Sequence, residues 1–158
     1  MRKVLMICIY VAIFLLANLL VASFGPAVTP FNALFLIAAD MVLRDRIQFE
    51  SGAAWSILAC FLAGVATVLI APGSEMIALA SSLSCLLAGS ASAIAFKLKS
   101  GGFFQKALPA NIIAAAVDSI AFPLIAFGAI MPGITEAQFA AKTIGASIIL
   151  LIIRKLSK

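Results

Sequence analysis

Apolar residues along this chain come in long, unbroken runs that are separated by short polar segments. A helix needs about 20 apolar residues to cross a bilayer, and most of the runs reach or approach that length. The runs are rich in Ala and Leu and do not alternate with polar residues, which favours helices over the strands of a membrane barrel. The pattern predicts an all-α membrane protein with one domain over residues 1–158 and six helices, at about 4–24, 29–43, 53–71, 76–96, 109–131 and 136–153.

The basic residues fall on one side of these six predicted spans. Ten of the eleven Lys and Arg residues belong to this side: Arg2, Lys3, Arg44, Arg46, Lys97, Lys99, Lys106, Arg154, Lys155 and Lys158. The segments "APGSE" and "MPGITE" on the other side hold one glutamate each and no Lys or Arg. By the positive-inside rule, both termini are cytoplasmic in the cell inner membrane. This one-sided distribution of Lys and Arg also supports six spans. Without the short second span, Arg44 and Arg46 would lie on the other side of the membrane.

Composition narrows the class of protein further. The chain is 65% hydrophobic and 11% charged, with a mean hydropathy of +1.22, which is too apolar for a soluble domain. The net charge of +5 follows the predicted topology, so we expect no nucleic-acid partner. Cys8, Cys60 and Cys85 lie inside apolar runs, and there is no histidine. We therefore expect neither a disulfide framework nor a metal site or cofactor.

The polar segments between the predicted spans are short, and none of them has the glycine-rich P-loop pattern of nucleotide hydrolysis. A pore or a transporter of small solutes is the natural class for such a chain. We do not expect an enzyme.

Two ionisable residues interrupt the predicted spans near their middle. Asp118 lies roughly 13 Å along the fifth helix and Lys142 roughly 9 Å along the sixth, at about 1.5 Å per residue from opposite sides. A charge at such a depth costs at least about 2.5 kcal/mol on insertion scales, so it is a candidate functional group. We expect the two side chains to share a cavity and to be close enough to pair. The alternative is a purely structural ion pair between two helices.

Further polar and aromatic residues would complete that cavity. On regular helices Asn111 shares a face with Asp118, and Gln138 shares a face with Lys142. Amides can donate to and accept from the edge of a heterocycle, although they also commonly join helices in membranes. Phenylalanines could cover a flat ligand, although contact with lipid or core is the more common role of this residue. The candidate substrate-binding residues are Asp118, Lys142, Gln138, Asn111, Asn32, Asn18, Phe31 and Phe122.

The segment "DMVLRDR" (40–46) ends the second predicted span on the basic side. Asp40 and Arg44 are four residues apart, which is the spacing of a helical ion pair. We expect them to pair within about one turn of the interface. Asp40, Arg44 and Arg46 are therefore predicted to form an anchor or an inner gate, without contacting the ligand.

Four blocks of the sequence resemble, in order, those of the VUT family, the vitamin uptake transporters that are also called queuosine-precursor transporters. They are "ANLLVASFGP", "FNALFLIAADMVLRDR", "NIIAAAVDSIAFPLIAFG" and "QFAAKTIGA". The elements "LRDR" and "VDS-x-x-FP" are the most specific parts. The resemblance covers most of the chain and is weakest through the third and fourth predicted helices.

The resemblance implies a six-helix bundle similar to the substrate-binding subunits of energy-coupling-factor importers. It also implies uptake of 7-deazaguanines, above all 7-cyano-7-deazaguanine, for synthesis of the modified tRNA base queuosine. The expected partners are this small molecule and the lipid bilayer, and homo-oligomers are left open. The alternatives are a transporter or binding subunit for another vitamin-like molecule, a regulatory subunit, and a small channel.

Overall fold

The computed structural model describes residues 2–156, apart from the side chain of Arg2. Lys158, one of the ten basic residues counted above, therefore lies outside the described residues. Within them no strand occurs, which confirms the predicted all-α class. We name the helices in chain order: α1 Arg2–Phe24, α2 Pro26–Ser51, α3 Ala53–Ile70, α4 Glu75–Leu98, α5 Phe103–Phe127 and α6 Pro132–Leu156.

Five of these helices, α1 to α5, are long and apolar enough to cross a membrane. The chain is thus a multi-pass helical membrane protein. Helix α6 has 25 residues but is not among the five. It carries Glu136, Gln138 and Lys142 in its first half. The sixth membrane span therefore stays a prediction.

Most helices extend further than the apolar runs that predicted them, although α3 ends one residue and α5 four residues before the predicted end. The largest difference is in α2, which was expected over about 29–43 and runs to Ser51. Arg44 and Arg46 therefore lie within a helix instead of following it. Long basic side chains can reach water from the last turns of a helix, so a helix does not have to end where its apolar run ends. Gly52 alone separates α2 from α3, and its φ of +93° is a conformation that only glycine adopts without strain.

Helix α2 is irregular in its first half. It begins with a short 3₁₀ turn at Pro26–Val28, where the missing proline N–H would have no helical partner anyway. One α-helical turn follows at Thr29–Asn32, then a π-helical segment at Ala33–Ile37, and regular helix from Ala38 to Ser51. Single π-helical turns are rare and frequently lie at functional sites.

The helices alternate in direction, as the packing of their ends shows. One buried cluster joins the end of α4 with the start of α5 and the end of α6, through Phe96, Phe103 and Leu150. The start of α1 lies beside the start of α3, because the Lys3 ammonium is 3.4 Å from the centre of the Trp55 ring. We call this side of the bundle the basic end. At the opposite end, Val21, Ala80 and Phe122 of α1, α4 and α5 form another buried cluster.

Helices α2 and α6 approach each other closely at Gly145. A Cβ atom at this position would lie 2.3 Å from the backbone oxygen of Leu34 and 2.6 Å from the Cβ atom of Ala38. Any larger residue would push the two helices apart. Gly145 therefore allows α6 to pack closely against the π-helical part of α2, one turn after Lys142.

Candidate functional site

A buried ion pair joins α5 to α6, as the sequence predicted. The Lys142 ammonium lies 2.7 Å from Oδ2 of Asp118. It also donates to Oγ of Ser119 at 3.1 Å and to Oε1 of Gln138 at 3.0 Å. An ammonium has three N–H donors, so these three acceptors match its capacity. The Lys142 side chain is only 2% exposed, whereas that of Asp118 is 16% exposed.

Gln138 extends this cluster to the irregular start of α2. Its Nε2 donates to Oγ1 of Thr29 at 2.9 Å, and that hydroxyl donates to the Pro26 carbonyl at 2.6 Å. The sequence analysis did not single out Thr29, although a hydroxyl next to a helix-breaking proline is a recognisable signal. We call Asp118, Lys142, Ser119, Gln138 and Thr29 the closed cluster, because its polar groups bind one another.

Asn18 holds three helices together in the half of the bundle away from the basic end. Its Nδ2 donates to Oγ1 of Thr67 on α3 at 3.0 Å, and its Oδ1 accepts from Oγ of Ser81 on α4 at 2.6 Å. Asn32 is less completely satisfied. Its Nδ2 donates to the Ala17 carbonyl at 2.9 Å, but its buried Oδ1 has no hydrogen-bond partner.

Asp40 and Arg44 are deeper than the sequence analysis expected. They are 4% and 3% exposed, because α2 continues for eleven residues beyond Asp40, roughly 17 Å at 1.5 Å per residue. The predicted ion pair between them is wrong: the Arg44 guanidinium pairs with Asp45, at 3.5 Å between Nη2 and Oδ1. Oδ1 of Asp40 and both Nε and Nη2 of Arg44 are buried without a hydrogen-bond partner. We call Asp40 and Arg44 the open pair.

Asp45 is a buried carboxylate that the sequence analysis missed. It is fully buried and accepts from Oγ of Ser92 and from Nδ2 of Asn111, each at 3.0 Å. Asn111 thus binds Asp45 and does not line the cavity with Asp118, and its predicted contact with the substrate stays a prediction. Asp45 looked like part of an exposed basic segment, since it stands between Arg44 and Arg46. Its polar partners Ser92 and Asn111, placed within apolar runs, were the available signal.

Eight of the predicted residues line one cavity between the helices. It contains the closed cluster's Asp118, Lys142 and Gln138, both members of the open pair, and the amides of Asn18 and Asn32. Phe122 lines it as well and is 8% exposed. The volume that the centres of water molecules can occupy is about 40 Å³, enough for roughly three waters. A flat bicyclic ligand therefore needs the lining side chains to move apart.

Phe31 and Arg46 lie away from this cavity. Phe31 is 69% exposed on the outside of the bundle and contacts Phe35, with 5.1 Å between the ring centres. Phe31 does not line the cavity, so its predicted role as a cover for the ligand has no support from its position. Arg46 pairs with Glu50 at 2.5 Å and lies 5.0 Å from the centre of the Phe103 ring. That position near the basic end agrees with an anchor, while the gating role stays a prediction.

Comparison of the chain with protein-family models, with curated proteins and with solved structures gives no match. The resemblance to the VUT family thus depends on the sequence blocks alone. What the structure itself defines is a helical membrane protein with a polar cavity buried inside its bundle.

Proposed function

We propose that this chain is a membrane transporter that imports a queuosine precursor, 7-cyano-7-deazaguanine or a related 7-deazaguanine. The observation that supports this most directly is a cavity in which buried donors and acceptors have no partner within the protein. Buried polar groups normally have hydrogen-bond partners, so such atoms in a cavity favour a polar ligand. In the proposed orientation the basic end faces the cytoplasm. No bond is made or broken, so the proposal does not include an enzyme.

The two edges of the proposed ligand match the two groups in the cavity. One edge of 7-cyano-7-deazaguanine has an N–H and an exocyclic amine beside a carbonyl. Asp118 would accept from those donors, and Lys142 or Gln138 would donate to the carbonyl. The five-membered ring carries another N–H and the cyano nitrogen. These would bind Asp40 and Arg44, which have an unpartnered acceptor and unpartnered donors. Phe122 would contact the ring face.

Uptake of labelled 7-cyano-7-deazaguanine into cells that lack their own synthesis tests the proposal. Cells with this chain should accumulate the label, and cells with an empty vector should not. Asp118→Ala should weaken binding by about 2–4 kcal/mol, because a buried charge-assisted hydrogen bond is lost. Asp118→Asn should lose less, since one acceptor remains. No accumulation by well-expressed parent protein would contradict the proposed substrate.

Reversing the ion pair separates a binding role from a structural one. The double variant Asp118→Lys with Lys142→Asp keeps a buried pair but exchanges its donor and acceptor sides. We expect it to insert into the membrane and to lose uptake. Parent-like uptake by this variant would mean that Asp118 only neutralises Lys142.

A small proton or ion channel is the second candidate function, and the water-sized cavity volume favours it. Purified protein in liposomes would then conduct protons or small cations without any 7-deazaguanine. A transporter of the proposed kind would show flux of the labelled heterocycle, and Asp40→Asn would change that flux.

A further inference from the structure

A second cavity lies next to the first one, on the side of the basic end. Its volume is about 80 Å³, and its walls come from α2, α3 and α4. Gln48, Ser56 and Ser90 give it polar groups, while Ala53 and Ala93 belong to the parts of α3 and α4 near the basic end. No part of the function proposed above uses this cavity.

Arg44 and Cys85 line both cavities and therefore form the wall between them. The two residues differ in how firmly they are held. The thiol of Cys85 lies 3.2 Å from the hydroxyl of Tyr10, which is fully buried. The Arg44 guanidinium has its 3.5 Å contact with Asp45, but its Nε and Nη2 make no hydrogen bond. Arg44 is thus the part of the wall whose donors are left for a polar ligand, and bonds to such a ligand would offset the loss of its contact with Asp45.

Gly89 of α4 leaves space beside this guanidinium. A Cβ atom at Gly89 would lie 3.9 Å from Cδ of Arg44 and 4.0 Å from Nε, which is ordinary contact and no clash. Any larger side chain at this position would extend into the second cavity that Gly89 lines. On the other side, Ser92 and Asn111 hold Asp45 in place. The space for movement of Arg44 is therefore towards α3 and α4.

We propose that the second cavity is the exit path of the substrate towards the basic end, and that movement of the Arg44 guanidinium joins it to the first cavity. This inference rests on the transport function proposed above. It gives the path a location, between α2, α3 and α4, and it gives Arg44 a role as a barrier. A ligand group that binds Arg44 acts on the barrier itself, so occupation of the site and opening of the path are coupled.

The first experiment tests the barrier without any substrate. Cys8, Cys60 and Cys85 are replaced by Ser, and Ser84→Cys, which lines the first cavity alone, serves as the reporter. An impermeant maleimide is applied to vesicles that expose the basic end. Adding Arg44→Ala together with Asp45→Asn should raise the labelling rate by about tenfold, the effect of roughly 1.4 kcal/mol. The added Asp45→Asn avoids a buried carboxylate without its counter-charge.

An unchanged labelling rate in folded protein would overturn the proposal, whatever the substrate is. If the double variant does not fold, Arg44→Lys gives the same test, because the shorter donor group should open the wall partly. Faster labelling of the variant, together with no uptake of 7-cyano-7-deazaguanine by the parent, would support the barrier role of Arg44 and contradict the proposed substrate.

The second experiment blocks the path. Gly89→Leu should fill the second cavity, while Ala91→Leu adds a similar bulk to the same helix at a position that lines neither cavity. We expect Gly89→Leu to bind labelled 7-cyano-7-deazaguanine like the parent but to lower uptake about tenfold or more, since passage and not binding is obstructed. Ala91→Leu should leave both unchanged. Parent-like uptake by Gly89→Leu would show that the substrate leaves by another route.

Discussion

Lys142 and Arg44 are both buried cations on the wall of the same cavity, but their surroundings differ. Lys142 has three acceptors within 3.1 Å, on α5 and on its own helix. Arg44 has one carboxylate at 3.5 Å, and two of its nitrogens have no hydrogen bond. Removing a partner from a satisfied buried pair is costly, whereas Asp40, the other member of the open pair, has an oxygen without a partner and little protein contact to lose. We therefore expect the closed cluster to contribute more to stability than Asp40, and the open pair to dominate uptake by the proposed transporter.

Lys142→Met should have the largest effect on stability. It leaves Asp118 without its counter-charge, and breaking a buried pair typically costs about 3–5 kcal/mol. Thermal unfolding in detergent measures the loss. Adding Asp118→Asn removes the isolated charge and should recover most of the stability. A single variant as stable as this double variant would mean that the closed cluster contributes little.

Gly145→Ala should come next. The added methyl group meets α2 at Leu34 and Ala38, and overpacking of this kind costs about 1–3 kcal/mol. The matched control is Gly133→Ala on the same helix, where a Cβ atom would have no neighbour within 4 Å. Both variants are compared by thermal unfolding in the same detergent. Equal stability of the two would indicate that α2 and α6 separate freely, and that their close approach does not support the closed cluster.

Ser119→Ala should have a smaller effect, about 0.5–1.5 kcal/mol, because Lys142 keeps two of its three acceptors. Ser147→Ala is a suitable control, since the Ser147 hydroxyl donates to the Thr143 carbonyl within its own helix. The comparison uses the same unfolding assay. If Ser147→Ala lowers the stability as much as Ser119→Ala does, the hydrogen bond from Lys142 to Ser119 does not add to the stability beyond an ordinary hydroxyl contact.

Asp40→Asn should have the smallest effect on stability, within about 0.5 kcal/mol of zero or slightly stabilising, because burying an unpaired charge is costly. Uptake of 7-cyano-7-deazaguanine should nevertheless fall about tenfold or more, since a hydrogen bond to a charged group contributes about 1.5–3 kcal/mol. Unfolding and uptake are measured on the same preparation. A stability loss comparable to that of Lys142→Met would remove the distinction between the closed cluster and the open pair.

The sequence was informative where one residue stood out from its neighbours. Asp118 and Lys142 interrupt apolar runs, and their depth along two antiparallel helices was enough to predict that they meet. The helical class and five of the spans followed from run length and apolarity. The sixth span stays a prediction because Glu136, Gln138 and Lys142 make α6 less apolar than the other helices. The same residues made α6 a candidate part of the site.

The errors came from local helix geometry. The Asp40–Arg44 pair was predicted from spacing alone, but a spacing of four residues does not exclude a stronger partner on either side. Asp45 is such a partner, and its burial depends on Ser92 and Asn111, which are distant in sequence. Phe31 and Asn32 were both proposed for the cavity, but neighbouring residues of a helix point about 100° apart, and only Asn32 lines it.

The π-helical segment sets the rotational phase of everything that follows it in α2. The residues of α2 that line the first cavity are Thr29, Asn32, Ile37, Asp40, Met41 and Arg44, with one step of five residues across the segment. Each residue of a regular α-helix turns the chain by about 100°, so the π turn acts like one inserted residue. A regular α-helix through the same residues would turn Asp40 and Arg44 by about 100° away from the face of Asn32, whereas deleting one residue between 33 and 37 would remove the extra residue and keep them on that face. The geometry of this one turn thus decides whether two charges face the cavity or the neighbouring helices.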